Sequence, residues 1–198
     1  HLNPPSWGAV AKKSKKIICV SDFTCKQPYV VVSNNTINVA PSWHTKVPVL
    51  FYSQLTNSNN RLMSVDLKTG RHSVICSYPG LNMQPSFTPD GSKAVLCLSG
   101  GRGNSELYLY DPKICKKVGR KVFCPLTKNG GHNVSPCVLP NKDIVFCSDF
   151  QSGQPQIYYM SMKTKKIRRL TNVKGYCAAP SYCEKNNTVV FIRLLSGV

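Results

Sequence analysis

Side chains able to do covalent or acid–base chemistry are few in this chain and poorly grouped. The 198 residues hold four histidines (His1, His44, His72 and His132), ten cysteines and only eight Asp plus Glu. A hydrolytic triad needs a nucleophile, a base and an orienting carboxylate brought together. No Gly-x-Ser-x-Gly elbow is present and the acids fall mostly in turns, so no catalytic residue and no enzyme is expected. The cysteines show neither Cys-x-x-Cys nor a paired Cys/His spacing, which argues against a metal site, and no cofactor is expected either. What remains is binding. For that the chain offers a formal charge of +18 and a few aromatic and Met side chains beside polar loops.

The elements that must position those residues follow from a repeat. Gln84 to Asp111 begins with Pro-Ser-aromatic, turns through Pro89-Asp90-Gly91, runs into the apolar strand Ala94 to Leu98 and crosses a Gly/Asn-rich loop to a second strand, Leu107 to Tyr110. Pro89 presets φ while Asp90 and Gly91 supply a side-chain acceptor and a positive-φ position, so the chain must reverse before Ala94. The Pro-x-aromatic or Pro-x-apolar opening recurs at Pro5, Pro41, Pro85, Pro136 and Pro180, spaced by 36, 44, 51 and 44 residues. That drift is expected of propeller blades whose loops vary around a constant core.

Three further elements repeat behind each opening. Ile17–Ser21, Val49–Ser53, Val95–Ser99, Ile144–Ser148 and Val189–Ile192 read as second strands. Tyr29–Val32, Leu62–Val65, Leu107–Tyr110 and Ile157–Met160 read as third strands, and Ser73–Ile75, Val122–Leu126 and Ile167–Thr171 as weaker fourth ones. The fold class is therefore all-β: about four four-stranded blades plus a partial one, with units 5–40, 41–84, 85–135, 136–179 and 180–198 in one domain.

Loop order then sorts the charges. First-to-second and third-to-fourth connections emerge on one rim, second-to-third and inter-blade connections on the other. The first rim collects Lys12, Lys13, Lys15, Lys46, Lys68, Lys113, Lys116, Lys117, Lys121, Lys163, Lys165 and Lys166 among others, and the second little beyond Lys26, Arg61, Arg102, Lys128 and Lys174. A field concentrated on one rim would steer anionic partners and be screened by salt. The lysines lack an aromatic stacking platform or a groove-reading helix, so a specific nucleic-acid site is not indicated.

The less basic rim carries the residues that resemble an interface. His132 lies in Gly130-Gly131-His132-Asn133, which leads into the innermost strand of unit four and should face the axial mouth. The equivalent loops hold Tyr78, Leu81, Met83 and Tyr176. Cys19 and Cys97 are expected as small core residues at the position of Phe51, Phe146 and Phe191. Cys137 with Cys147, on neighbouring strands, and Cys115 with Cys124, bracketing a hairpin, are open to bridging in an oxidising compartment.

The run Pro85-Ser86-Phe87-Thr88-Pro89-Asp90-Gly91-Ser92-Lys93, then Glu106 to Asp111, then Pro125-Leu126-Thr127 resembles the repeat of the TolB propeller, and unit four keeps the same order through Gln156–Met160 and Arg168–Thr171. The resemblance covers nearly the whole chain. It implies a periplasmic component of the Tol-Pal system, acting in envelope integrity and cell division, whose propeller mouth receives the peptidoglycan-associated lipoprotein Pal. On that basis the partner would meet Tyr78, Leu81, Met83, His132, Asn133 and Tyr176. The resemblance also implies six blades and a separate N-terminal domain, so the chain is expected to be a fragment that self-associates through exposed blade edges. Two alternatives remain open at this point: the substrate-gating propeller of a prolyl-oligopeptidase-like serine hydrolase, and a basic propeller that binds polyanions.

Overall fold

Period-two burial decides how this chain stacks. The computed structural model describes residues 15–56, 60–101, 103–113 and 123–195, and the elements found there are strands. A short pair, β1 (Ile18–Val20) and β2 (Tyr29–Val32), comes first. β3 (Ile37–Trp43), β4 (Val49–Leu55), β5 (Asn60–Asp66) and β6 (His72–Cys76) form an antiparallel four-stranded sheet in chain order. β7 (Asn82–Phe87), β8 (Ala94–Leu98), β9 (Glu106–Tyr110) and β10 (Phe123–Pro125) form the second such sheet. β11 (Asn133–Val138), β12 (Ile144–Ser148), β13 (Gln156–Met160) and β14 (Ile167–Arg169) form the third, and β15 (Tyr176–Cys183) with β16 (Thr188–Leu194) closes the series.

Strands β8 and β12 are buried at every residue, as expected when both faces of a strand are covered. Ala94, Leu96 and Leu98 pack back onto Phe51, Leu62 and Ile75, whereas Val95 and Cys97 pack forward onto Ile144, Phe146 and Tyr158. Cys147 in turn meets Cys177 and Ala178 of β15. Each core therefore lies in the seam between two consecutive sheets, the radial order of a β-propeller. A side chain such as Leu96, fully buried in its seam, contributes about 1.5–3 kcal/mol by leaving water.

The turn at Pro89-Asp90-Gly91 forms as its residue types require. Asp90 Oδ1 accepts from the Thr88 hydroxyl at 2.6 Å and from the Ser92 amide at 2.9 Å. Gly91 has φ +68°, and a Cβ there would lie 2.5 Å from His44 Cε1 of the preceding sheet. His44 Nε2 reaches the Gly91 carbonyl at 3.1 Å and its ring lies 4.7 Å from that of Phe87, so the close approach ties two sheets together.

Two assignments from sequence are corrected here. Ile17–Ser21 and Tyr29–Val32 were expected as second and third strands, but β1 and β2 occupy the third and fourth places. Ile18 faces Val32 with a register shift before Cys19↔Val30, the same irregularity as Leu62↔Cys76 before Met63↔Val74. Asn38 then reaches back to the Lys16 carbonyl just as Asn82 reaches Asn60. The sequence misleads because Ile17–Phe23, IICVSDF, imitates Ile144–Phe150, IVFCSDF, a true second strand. Cys97 is a core residue, but one place off. Register aligns Leu96 with Tyr52, Phe146 and Phe191, and Cys97 with Ser53, Cys147 and Ile192. A one-residue slip exchanges the two faces, so Cys97 packs into the following seam. Cys19 is exposed and aligns with Met63 of a third strand.

Candidate protein-interaction rim

The mouth of the propeller is built on a recurring asparagine. Asn38, Asn82 and Asn133 each stand three residues before the inner-strand proline and are buried. Asn82 Nδ2 donates to the Asn60 and Tyr78 carbonyls at 2.8 and 2.7 Å while its Oδ1 accepts from the Tyr78 amide at 3.0 Å. Asn38 Nδ2 donates to the Lys16 carbonyl at 2.8 Å and to Asn34 Oδ1 at 2.9 Å. Asn133 Nδ2 donates to Asn129 Oδ1 at 2.8 Å, Glu106 Oε2 at 2.9 Å and the Ser105 carbonyl at 3.2 Å. One amide thus satisfies an inter-sheet loop that would otherwise leave buried carbonyls bare. Asn133, expected at the surface, is a latch inside it.

At the fourth position Cys177 replaces the asparagine. Gln156, from β13, supplies the missing amide, donating from Nε2 to the Gly175 and Val173 carbonyls at 2.8 and 3.1 Å.

The residue immediately before each latch is Ile37, Leu81, His132 or Tyr176, one per inner strand. These four positions are equivalent, and they ring the same mouth on the loops that join consecutive sheets. Tyr176 is 41% exposed, His132 is exposed, and Ile37 and Leu81 are half-buried. Sequence reasoning found three of them but missed Ile37, which the pattern apolar-Asn-x-x-Pro would have supplied. His132 is fixed by Asp149: its amide donates to Oδ1 at 2.7 Å and Nδ1 lies 2.8 Å from Oδ2. Burial pushes the Asp149 carboxyl up, but the contacts from His132 outweigh it and hold the group below its ordinary range. Tyr78 is exposed yet leans edge-on against Phe123 at 5.7 Å, and Met83 is half-buried against the seam of the second and third sheets. Tyr78 and Met83 thus lie off the ring.

Along the axis below the ring, Ala40, Pro41, Gln84, Pro85, Ser135 and Pro136, with Ala179 and Pro180, line a groove of about 270 Å³. The residue before each proline has left-handed φ: Ala40 51°, Gln84 57°, Ser135 51° and Ala179 50°. Each sits in a β-bulge that breaks the inner-strand register. Gln84 Oε1 accepts from the Ser135 amide at 2.9 Å, linking two bulges.

The opposite rim differs from its expected form. Lys68, Lys113, Lys163, Lys165 and Lys166 are exposed in connections on that side, whereas Lys116, Lys117 and Lys121, like Lys12, Lys13 and Arg102, lie outside the described residues. With β1 and β2 as third and fourth strands, Lys15 moves to the mouth side and Lys26 to the opposite one. Asp22, Asp66, Asp90, Asp111, Asp143 and Glu184 share that opposite rim. Asp90 pairs with Lys142 at 2.9 Å and Asp111 with Lys93 at 3.3 Å, so among the described residues the positive field there is diluted.

His44, His72 and His132 are each engaged with their own neighbours and sit on separate sheets or loops; His72 Nδ1 lies 3.2 Å from the Tyr52 hydroxyl. The described cysteines are free thiols. Cys137 faces Val145 rather than Cys147, whose Sγ contacts the Cys177 carbonyl at 3.2 Å, and Cys115 lies outside the described residues. Among the described residues no helix is long and apolar enough to cross a membrane.

Comparison with known proteins settles the family. The profile of the TolB beta propeller domain matches residues 8–197. The chain belongs to this family. The Tol-Pal system protein TolB of Francisella tularensis subsp. mediasiatica (strain FSC147) is 29% identical over 179 residues, covering 88% of this chain and 40% of that protein. The TolB of Helicobacter pylori (strain J99 / ATCC 700824) is 28% identical over 151 residues, covering 75% of this chain and 34% of that protein. The crystal structure of TolB from Acinetobacter baumannii superposes with a TM-score of 0.80 at 26% identity, over 92% of this chain and 44% of that one. Porphyromonas gingivalis dipeptidyl peptidase 4, at 14% identity and a TM-score of 0.57 over 82% of this chain and 24% of that one, shares the fold alone. The chain spans about two fifths of the length of the TolB proteins it matches. It is a TolB-type propeller segment.

Proposed function

We propose that this segment is the protein-binding face of a periplasmic Tol-Pal component, acting in envelope integrity and cell division, and that its mouth receives a Pal-type lipoprotein. It serves as an interaction module and not as an enzyme. The observation that carries the reading is the ring of Ile37, Leu81, His132 and Tyr176: four equivalent positions, mixed apolar and polar, held by buried amide latches around one opening. Aromatic and aliphatic anchors on a rigid frame are the composition of interface centres. Tyr78, Met83 and Asn133 then act behind the ring.

The test is titration calorimetry of the 198-residue chain with the soluble domain of a Pal-type lipoprotein. Binding that weakens at least tenfold in a Leu81→Ser/Tyr176→Ala variant, and stays unchanged in Lys68→Ala/Lys163→Ala on the opposite rim, is the expected result. Equal loss in both variants, or no binding by a chain whose circular dichroism is that of a folded sheet protein, would count against the reading.

A further inference from the structure

The turns that join the third strand of a sheet to its outermost one repeat almost bond for bond, but not in charge. In the first complete sheet the Asp66 amide donates to the Arg71 carbonyl at 3.0 Å and the Gly70 amide to the Asp66 carbonyl at 2.8 Å. In the third sheet the Ser161 amide donates to the Lys166 carbonyl at 3.0 Å and the Lys165 amide to the Ser161 carbonyl at 2.8 Å. The side-chain brace matches as well. Asp66 Oδ1 accepts from the Thr69 amide at 3.2 Å, and Ser161 Oγ from the Thr164 amide at 3.4 Å. Asp111 opens the turn of the second sheet in the same way, accepting from the Lys113 amide at 3.0 Å.

Two replacements within this frame make the third turn basic. Ser161 stands where Asp66 and Asp111 carry a carboxylate, so the turn keeps its brace and loses a negative charge. Lys165 stands where Gly70 does, at φ +60° against +68°. That left-handed conformation suits glycine and strains an L side chain, so the turn carries this lysine against its backbone preference. Lys163, Lys165 and Lys166 are exposed, and Arg169 follows on β14, also exposed, with its Nε on the Thr171 carbonyl at 2.6 Å. Arg168, before it, is drawn over the Tyr159 ring at 4.8 Å. Asp143 reaches the turn, but its oxygens are occupied: Oδ1 accepts from the Met162 amide at 2.8 Å, and Oδ2 from Asn141 Nδ2 at 2.8 Å and from the Tyr159 hydroxyl. Among the described residues Lys163, Lys165, Lys166 and Arg169 form no ion pair, whereas Lys93 and Lys142 on the same rim do. The acids that dilute the rim elsewhere thus leave this corner unpaired.

We infer that the 161–166 turn, with Arg169 beside it, docks the protein on the surface of an anionic phospholipid bilayer. Lys163, Lys165, Lys166 and Arg169 fall within seven residues, the density at which basic segments adsorb to anionic headgroups. Lysines carry point charges on mobile stems, which suit a plane of headgroups better than one fixed bidentate partner. The turn is an exposed hairpin end, with the Tyr159 ring behind it covered by Arg168, so it offers neither a groove for a polymer nor a free stacking platform. It lies on the rim opposite the mouth. A bilayer held there leaves the mouth open, and the inference stands whether or not a lipoprotein binds.

Co-sedimentation of the full 198-residue chain with lipid vesicles provides the test. The chain is expected to bind phosphatidylcholine vesicles that contain one quarter phosphatidylglycerol, not to bind phosphatidylcholine alone, and to lose affinity as salt rises. Lys163→Gln/Lys165→Gln/Lys166→Gln should weaken binding at least tenfold. The control Lys68→Gln/Arg71→Gln/Lys113→Gln removes the same charge from the equivalent turns and should change it far less. Equal losses would mean that net charge alone draws the chain to the vesicle, and heparin binding that is as tight and as sensitive to the first variant would make the corner a general polyanion site. Either result overturns the inference, as does a chain that is folded by circular dichroism and binds neither vesicle. Lys165→Gly guards against misfolding, because Gly70 already forms the same turn. It should weaken vesicle binding about fivefold, the share of one lysine beside a charged bilayer, and unchanged binding would also overturn the inference.

Discussion

The third complete sheet and the open pair β15–β16 carry the same repeat in the same register, and they differ in what covers them. Phe146 and Phe191 hold equivalent positions, but one is fully buried and the other 38% exposed. Asn133 latches the loop before the third sheet, whereas Cys177 stands there before the open pair and Gln156 reaches over from β13 to do the same work. The repeat therefore conserves a demand, an amide donor for the loop carbonyls, more strictly than the residue that meets it. Burial, in turn, belongs to the seam and not to the strand.

The largest effect that can test this contrast is truncation of the two phenylalanines. Phe146→Ala should cost about 3–5 kcal/mol, since the side chain is enclosed on all sides. Phe191→Ala in dilute, monomeric protein should cost roughly 0.5 kcal/mol, the scale of a surface change. Urea unfolding of the two variants checks the pair, and equal losses would mean that the open sheet is as well packed as the closed one.

Next in size is the latch. Gln156→Leu should destabilise by about 1–3 kcal/mol by leaving the Val173 and Gly175 carbonyls without their donor. Adding Cys177→Asn in that background should recover part of the loss, because it restores the arrangement seen at Asn82 and Asn133. A double variant no better than the single one would show that the two solutions are not interchangeable.

Thiol reactivity gives a smaller but cleaner contrast. Desolvation pushes the Cys97 thiol up to about 12 and that of Cys147 up to about 11. Alkylation of the folded chain at pH 8 should therefore label Cys19, Cys25, Cys124 and Cys183, which are exposed, and spare Cys97, Cys147 and Cys177 until the protein unfolds. Mass spectrometry of the labelled peptides reads this directly.

The smallest effect concerns the contact between neighbouring turns on the opposite rim. The Thr88 hydroxyl, the Lys142 ammonium and Ser92 hold the Asp90 carboxyl well below its usual range. A depressed carboxylate stabilises above its unfolded pKa and loses that contribution as pH falls through the folded value. Lys142→Met should let Asp90 take up its proton at higher pH than in the parent, visible in a carboxyl-carbon NMR titration. An unchanged titration would assign the depression to Thr88 and Ser92 alone.

Much of the architecture could be read from residue types, for reasons these elements make plain. Pro89-Asp90-Gly91 permits little but a reversal, and Ala94–Leu98 is too apolar and too short to be anything but a covered strand. What escaped was register. A slip of one residue between Leu96 and Cys97 is invisible in a run that is apolar throughout, because no alternation marks its faces. Ile17–Phe23 was misplaced because local likeness to Ile144–Phe150 outweighed the four-residue link to Ile37 that fits only an inter-sheet connection. At the mouth, Leu81, His132 and Tyr176 were legible as loop residues, but the burial of Asn133 was not, since a polar residue in a Gly-rich stretch looks exposed until its acceptors are known. The basic rim was read from its lysines alone, and turn-forming Asp residues share the connections that carry them.

The bulge before each inner-strand proline has a consequence for how such a ring can change over time. The extra residue lets one strand pair Val134 with Cys147, which faces the seam ahead, and Val138 with Ile144, which faces the seam behind. A duplicated or transplanted unit that lacked it would turn half of that strand's greasy side chains toward the wrong neighbour. Units can therefore be gained, lost or shuffled only as whole modules that bring their own kink, while the loops outside it are free to drift in length.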